Sequence, residues 1–535
     1  MPPRFEDAMR ILDDAVRRSA AFRAWLRSRR WCGETVGMRS ELVVRDSALL
    51  AASGTETLVI TLVLARDGPS SVLLHLPLSV ATARLDSDAF ELSNGPERWY
   101  VGEAERRESY ARFLTDGLRR GLRLPTRTGD SLHFRGGSLG AFQSLEPGAE
   151  GDSSNLLVHL ATTGLEVVFK SYKILDPQNR EPLILERLRR RGFAHTPRFL
   201  GEVSLGQGEE RLVLGVATQK VDGEDLFADL TGRWREELGR SSPASTDLEQ
   251  VTLRLADELG EATAALHDTL VDRKPGPFQA EPFTPEDAEA AYRIAARNLT
   301  DSVRLLARRH GEGRDLPPDL ASECRELLLD HRKAIEGVLG SLEASVGTAK
   351  IVTHADLHLG QVLRSRQDGS LFFIDFEGEP ERSPGQRSVR LPPLRDVATM
   401  VRSFAYVKHG AWRDCLGGDP RAALKAMRPH DRSPELREVL GRLETWEDAA
   451  VRRFSGRYLA RTNLYPELDP ATAQRILRGW TMEKALYELR YELKHRPANF
   501  LIPLEGILSL AKERSGDDGG PAAMPRSADP SVRTL

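Results

Sequence analysis

The chain has little cysteine. Across 535 residues there are three, Cys32, Cys324 and Cys415, widely separated and without a C-x-x-C pair. That spacing excludes a zinc ribbon and a disulfide framework, and it suits a reducing compartment. Long apolar runs are missing too. None reaches 18 residues, so no transmembrane helix is expected, and the opening MPPRFEDAMR has no apolar signal-peptide core. A cytoplasmic protein that does not enter a membrane is the expectation. Charge is balanced: 76 Lys and Arg stand against 79 Asp and Glu, a net charge of −3. No Lys/Arg run of the nucleic-acid type stands out, so nucleic acid is not an expected partner. The 12 histidines are mostly scattered singly, which leaves little for a multi-histidine metal cluster. A hydrophobic content of 40% and a charged content of 29% are ordinary for a globular chain with a sizeable core. The length predicts two to four domains.

Periodicity then divides the chain. Residues 5–30 carry apolar positions at mostly helical spacing. Two alternating runs, 56–63 and 71–76, flank Arg66-Asp67-Gly68-Pro69 and predict a hairpin. A helix is expected over 104–121, strands over 153–161, 165–173 and 211–218, and a helix over 178–192. From about 245 the pattern is mostly helical: 248–269, 285–310, 317–342, 396–408, 434–459 and 471–495. The tail from 513 is rich in Gly, Pro, Ser and charge and is expected to be disordered. The layout is α+β in two lobes, β-rich first and helical second.

One segment of the helical half breaks the pattern: IVTHADLHLGQVLRSRQDGSLFFIDFEGEP, residues 351–380. It reads as a buried hairpin whose arms end in Asp356 and in Asp375 with Glu377. Two carboxylates and the amide of Gln361 are hard oxygen donors, suited to Mg²⁺ rather than zinc. Phosphoryl transfer needs such a metal, a carboxylate to receive the acceptor hydroxyl's proton, and a cation on the phosphates. Lys170 ends an alternating strand and offers that cation. Glu186 on the next helix is expected to pair with it, as in protein kinases. Each piece alone has a plainer reading: a strand-end lysine is usually solvated, and an aspartate after an apolar run is usually a turn residue. His354 and His358 around Asp356 also resemble a binuclear hydrolase pattern. No further histidine cluster supports that reading, and structural hydrogen bonding is the expected role of His354 and, similarly, His358.

The blocks THADLHLGQVLR, FFIDFEGEP and PLRDVATMVRSFAYV resemble the maltokinase branch of the aminoglycoside phosphotransferase-like kinases. Trp25–Trp31 (WLRSRRW), Asp152–Asn155 (DSSN), Leu259–His267 (LGEATAALH) and Trp480–Glu492 (WTMEKALYELRYE) extend the resemblance over roughly residues 22 to 508. It implies a bilobal, protein-kinase-like fold with an N-terminal cap. The cap and β-rich subdomain would be 1–145, the rest of the N-lobe 146–218, the helical C-lobe 219–512 and the tail 513–535. By position, Asp356 would be the catalytic base. Gln361 and Asp375 would hold Mg²⁺ with Glu377 assisting. Lys170 would contact the ATP phosphates and Glu186 would pair with it. The backbone around Ser153, Ser154 and Asn155 would cover the phosphates, and main-chain atoms from Gln219 to Val221 would receive adenine. The implied acceptor is the anomeric hydroxyl of maltose, giving maltose 1-phosphate in α-glucan (glycogen) and trehalose metabolism. A trehalose synthase is an implied partner.

In 480–495, Met482, Leu486, Leu489 and Leu493 form a core stripe, with Glu483, Tyr487 and Tyr491 on a neighbouring face. Tyr487, Glu488 and Tyr491, with His358, are the expected sugar contacts, since rings stack on sugar C–H faces and carboxylates accept hydroxyls. An amphipathic surface helix with half-buried tyrosines is the alternative. The chain departs from the family text at Ala355, where glycine is usual, and at Gly33–Val36. If the backbone there needs φ > 0, Ala355 is costly but tolerable. Competing functions are a kinase for another sugar, glucosamine foremost, a pseudokinase-like regulatory module, and a metal-dependent hydrolase.

Overall fold

The computed structural model describes residues 4–513 apart from 33–35, 38–39, 86–87, 95–96, 147–154, 209–210, 240–245, 313–315, 414–418 and 428–430. The expected disordered tail lies, from residue 514, outside the described residues. The chain divides into two compact units. The first comprises residues up to Arg189 with Pro197–Val221, and the second comprises Arg190–Thr196 with the chain from Asp222 onward.

In the first unit the periodic stretch 5–30 forms two helices, Phe5–Arg18 and Ala20–Ser28. The break falls at Ser19, which adopts an extended conformation and accepts the Phe22 N–H on its hydroxyl at 3.2 Å. An N-cap serine stabilises a helix start by about 1 kcal/mol. The buried side chains Leu12, Val16, Phe22 and Leu26 join Val59, Val63, Leu74 and Leu78 in one apolar core. The strands behind that core run, in sheet order, Glu41–Ser53, Glu56–Asp67, Ser70–Ala81, Glu97–Glu103 and Phe90–Asn94, and Ile174–Leu175 pairs with the third of them. The expected hairpin is there, longer than its apolar runs: pairing extends from Glu56 opposite Ala81 to Asp67 opposite Ser70. Gly68, at φ +58°, supplies the left-handed turn residue.

A second sheet of the first unit has seven strands in the order Arg123–Pro125, Ser131–Gly136, Phe199–Leu205, Leu212–Gln219, Leu165–Ser171, Leu156–Thr162, Phe142–Glu146. The strand that ends in Lys170 and Ser171 is therefore interior, paired on both sides. Val167, Phe169 and Ser171 are buried on one face, which puts Val168 and Lys170 on the other. Helix Glu181–Arg191 follows.

The second unit is helical around the expected hairpin. The long helix Pro470–His495 runs beside Pro285–Glu312, Pro393–Trp412 and Leu501–Glu513. The structure replaces the expected core stripe and polar face with burial on all sides, continuous from Gly479 to Leu489. Burying Glu483, Lys484 and Glu488 is possible because each meets an opposite charge there. Thr246–Thr269 packs along Pro434–Arg461.

The hairpin itself is shorter than its sequence suggests. Val362–Ser365 pairs with Leu371–Phe373, Val362 opposite Phe373, and Gly223–Asp225 adds a third strand. Thr196 and His195 tie onto it: Phe373 N–H donates to His195 O at 2.8 Å and Thr196 Oγ1 donates to Phe373 O at 3.2 Å.

Candidate active site

Asp356 does not sit at a strand tip. Its loop runs from Ile351, which forms an isolated bridge with Leu391, to the 3₁₀ turn Leu359–Gln361. The reason is Asp396. This fully buried carboxylate, in the first turn of helix Pro393–Trp412, accepts the N–H of His354 at 2.8 Å and of Ala355 at 3.0 Å. Those amide groups are turned inward and cannot pair with a strand. Ala355 takes up the turn at φ +67°, so the position does need the left-handed region that glycine adopts freely. His267 Nε2 donates to the same Asp396 carboxylate at 3.2 Å, and Tyr458 OH lies 3.0 Å from the other ring nitrogen. Burial pushes the Asp396 carboxyl pKa up, but His267, with His354 and Arg395, outweighs it and keeps the pKa below the ordinary aspartate value.

The Asp356 side chain is 15% exposed, and Lys484 Nζ donates to its Oδ1 at 3.0 Å. The same ammonium donates to Glu379 Oε1 at 2.7 Å. Glu379, wholly buried, is also held by Arg395 at 2.7 Å and by Arg382. Arg382 and Arg395 in turn both meet Glu483, at 2.5 and 3.3 Å. Three carboxylates and three cations thus form one closed network whose charges cancel. Burial alone would neutralise Glu379, yet Arg382, Arg395 and Lys484 hold its pKa well below the ordinary value. Burial likewise opposes the Lys484 charge, and Asp356 and Glu379 outweigh it, raising the lysine pKa. The ammonium is therefore a fixed positive charge against Asp356.

The second acidic group stands just past the hairpin. Asp375 has φ +64°, a conformation aspartate tolerates. Gln361 Nε2 donates to Asp375 Oδ2 at 3.0 Å, and Ile374 N–H donates to Gln361 O at 3.0 Å. The amide of Gln361 thus bridges the start of one strand to the end of the other, and this bond leaves its carbonyl oxygen unengaged. A carboxylate oxygen of Asp375 and one of Glu377 lie within 4.8 Å of each other. Two carboxylates at that spacing with an adjacent amide oxygen are a donor set that fits Mg²⁺, which takes few protein ligands and keeps waters.

The two histidines of the H-x-D-x-H pattern make different contacts. His354 Nε2 donates to Ile374 O at 2.9 Å, joining the two acidic loops, and its ring packs 4.7 Å from that of Phe376. His358 Nδ1 accepts the Gly360 N–H at 3.1 Å. Its side chain keeps 36% of its surface open, with Nε2 3.9 Å from Asp356. The protein crowded around the ring lowers the His358 pKa.

The expected sugar face of Pro470–His495 is largely closed. Tyr487 is 4% exposed, with the ammonium of Lys484 4.9 Å and the guanidinium of Arg382 5.6 Å from its ring centroid. Burial raises the pKa of its phenol. Glu488 is buried and accepts from Arg402 Nε at 2.9 Å. Tyr491, half-buried, stacks on Tyr487 with centroids 6.2 Å apart. Beside Tyr491, Glu381 binds Arg490 at 2.7 Å and His495 at 2.6 Å.

In the first unit Lys170 Nζ donates to Glu181 Oε2 at 2.9 Å, and both side chains are mostly buried. The expected pair with Glu186 is corrected to one with Glu181. Glu181 opens the helix Glu181–Arg191, and Glu186 lies about 140° further around the axis. There Arg189 binds Glu186 bidentately, at 2.9 Å for both bonds. Ser153 and Ser154 fall outside the described residues, and Asn155 immediately precedes strand Leu156–Thr162. At the expected adenine segment, Gln219 N–H already donates to Arg198 O and Lys220 N–H to Glu166 O, each at 2.9 Å.

Lys484, Glu379, Arg382, Arg395, Glu483 and Asp396 escaped the sequence reading as site residues. Lys484 and Glu483 sit inside the block MEKALYELRYE, and Glu379 inside DFEGEP. Residues so polar within an apolar helical pattern were the available signal.

The family model for phosphotransferase enzymes (APH) matches residues 147–430. A glucosamine kinase of Streptacidiphilus jiangxiensis is 26% identical over 336 residues, 62% of this chain and 65% of its own length. This chain thus matches less than two thirds of that relative. A glucosamine kinase of Mycolicibacterium smegmatis is 25% identical over 337 residues, 62% of this chain and 71% of its own. A glucosamine kinase solved with glucosamine, ADP and inorganic phosphate superposes at a TM-score of 0.59 and 21% identity, covering 92% of this chain and 98% of that one. A further crystal form of glucosamine kinase gives 0.63, also at 21% identity, over 96% and 100%. At this identity the likeness shows the fold, which is the α+β fold of aminoglycoside phosphotransferase-like kinases.

Proposed function

Because the chain belongs to the phosphotransferase enzyme family, whose model covers residues 147–430, we propose that it is an ATP-dependent sugar kinase with Asp356 as the proton acceptor. The single observation that carries this reading is the Lys484 bridge. A buried ammonium holds the Asp356 carboxylate at 3.0 Å on a loop whose backbone is pinned by Asp396. A general base must be held in place as well as being basic.

In the reaction the acceptor hydroxyl gives its proton to Asp356 as its oxygen bonds to the γ-phosphorus. The bond from that phosphorus to the bridging oxygen breaks, leaving ADP and a sugar phosphate. Asp375, Glu377 and the Gln361 carbonyl would hold Mg²⁺, which neutralises charge on the phosphate oxygens. Lys170, anchored by Glu181, is read as the phosphate-contacting cation. These roles also speak against a pseudokinase, which needs neither an oriented base nor a phosphate cation, whereas the hydrolase reading predicts activity without nucleotide.

Glucosamine is the favoured acceptor, because two curated relatives of the chain are glucosamine kinases. Maltose, implied by the block KALYELRYE, is the second reading. Its support is weaker because Tyr487 is 4% exposed and Glu488 is engaged by Arg402. A coupled assay of ADP formation, with glucosamine, maltose, glucose and trehalose offered in turn, tests both levels. Turnover with glucosamine at a kcat/KM at least tenfold above the others supports the choice. Preferential turnover with maltose restores the second reading, and ADP formation with none of them refutes the sugar-kinase proposal.

A further inference from the structure

We propose that the N-terminal sheet positions the phosphate-contacting lysine through Tyr172, so that the N-terminal subdomain is a working part of the nucleotide site. The inference rests on the reading of Lys170 given above. Lys170 Nζ and Tyr172 OH donate to the same carboxylate oxygen, Glu181 Oε2, at 2.9 and 2.6 Å. With two donors on one oxygen, the glutamate rotamer is set by the tyrosine as much as by the lysine, and the lysine follows it.

Tyr172 is itself held from the other sheet. Lys170 and Ser171 finish the strand Leu165–Ser171, and Tyr172 N–H still bonds Leu214 O at 2.9 Å. Immediately afterwards Ile174 and Leu175 pair with Leu74 and Leu73 of the strand Ser70–Ala81. Between these two attachments the chain is clamped. His75 N–H donates to Lys173 O at 2.9 Å, and His75 Nδ1 donates to Tyr172 O at 3.0 Å. Burial, with Lys173 adding to it, lowers the His75 pKa to about 3, so the ring is neutral and its Nδ1 carries the proton that Tyr172 O accepts.

Lys173 completes the clamp. Its ammonium is wholly buried, donates to the wholly buried Glu105 at 2.6 Å and lies 5.1 Å from the Trp31 ring centroid. Ser171 Oγ donates to the same Glu105 oxygen at 2.9 Å, and Trp31 Nε1 donates to Glu103 at 2.9 Å. An apolar pair of similar volume would often serve stability as well as this ion pair. What the ion pair adds is direction: it fixes where residues 171–173 lie relative to the N-terminal strands.

Tyr172→Phe keeps the ring and removes only the hydroxyl. The expected result is a KM for ATP raised about tenfold with the KM for the sugar unchanged, alongside a small fall in the midpoint of thermal unfolding from the lost hydrogen bond. A purely structural tyrosine would not separate the two KM values. In the double variant with Glu181→Gln, the two effects should be far from additive, because the hydroxyl acts through that carboxylate. Lys170→Met separates the two levels of reading. If Lys170→Met cripples ATP use but Tyr172→Phe leaves the KM for ATP within twofold of wild type, the positioning inference alone is overturned. If Lys170→Met behaves as wild type, the phosphate reading falls and takes this inference with it.

Discussion

Replacing Lys484 with methionine is the sharpest single perturbation of the proposed site. The ammonium lies 3.0 Å from Asp356 and 2.7 Å from Glu379, with 6% of the side chain exposed. At an effective dielectric constant near 20, each contact has a gross attraction of roughly 5–6 kcal/mol, much of it cancelled by the cost of burying the ions. Removing one partner of a buried pair typically costs about 3–5 kcal/mol. Glu379 keeps Arg382 and Arg395, so the low end of that range, about 3 kcal/mol, is the expected loss of stability. Asp356 fares worse in geometry than in energy. It loses the ammonium bonded to it and can turn toward the solvent that already reaches 15% of its surface. A displacement on the order of 1 Å costs about a hundredfold in rate. The expected outcome for Lys484→Met is a kcat about a hundredfold lower with the KM for ATP nearly unchanged. Urea unfolding and steady-state kinetics on the same preparation measure the two effects separately. Lys484→Arg should recover part of the stability but little of the rate, because the larger planar guanidinium cannot take the place of a compact ammonium 3.0 Å from Asp356 without displacing that carboxylate. A kcat for Lys484→Met within twofold of wild type would refute the claim that this lysine orients the base.

Three further outcomes are expected. Asp375→Ala should abolish the Mg²⁺ dependence of nucleotide binding, measured by calorimetry with and without Mg²⁺; an undiminished dependence would move the metal off the hairpin. Ala355→Gly relieves about 1 kcal/mol of strain at φ +67° but frees the unfolded chain by nearly as much, so stability should change by less than about 0.5 kcal/mol and activity not at all. The His75 prediction concerns acid: the folded pKa of about 3 lies below the ordinary 6.5. Its contribution is fully present above pH 6.5. As pH falls from there toward 3, the unfolded chain takes up a proton that the folded one refuses, and stability declines by about 1.4 kcal/mol per pH unit. Between pH 7 and 5, wild type should lose about 2 kcal/mol more than His75→Gln in urea unfolding; parallel losses would remove His75 as the cause.

Local periodicity identified the long helices and the Arg66–Pro69 hairpin, because amphipathic spacing and turn residues act within a few residues. It missed the strand Phe199–Leu205, which lies inside the seven-stranded sheet, buried over Leu200–Ser204. A strand buried on both faces shows no alternation to read. It also ran residues 5–30 together, since the break at Ser19, one extended residue whose hydroxyl caps the next helix, leaves the apolar spacing on either side helical.

The chain's own text determined the chemistry on offer: hard oxygen donors at Gln361, Asp375 and Glu377, a carboxylate at Asp356, a strand-end lysine at 170, and no thiol or histidine cluster to compete. Only the tertiary structure decided the pairings. Lys170 meets Glu181, and Asp356 meets a lysine 128 positions away. Tyr487 and Glu488 turn into a packed interior. The physical reason is that a charge is stable in a core only beside its opposite, and which opposite arrives is settled by how distant helices and strands close around it.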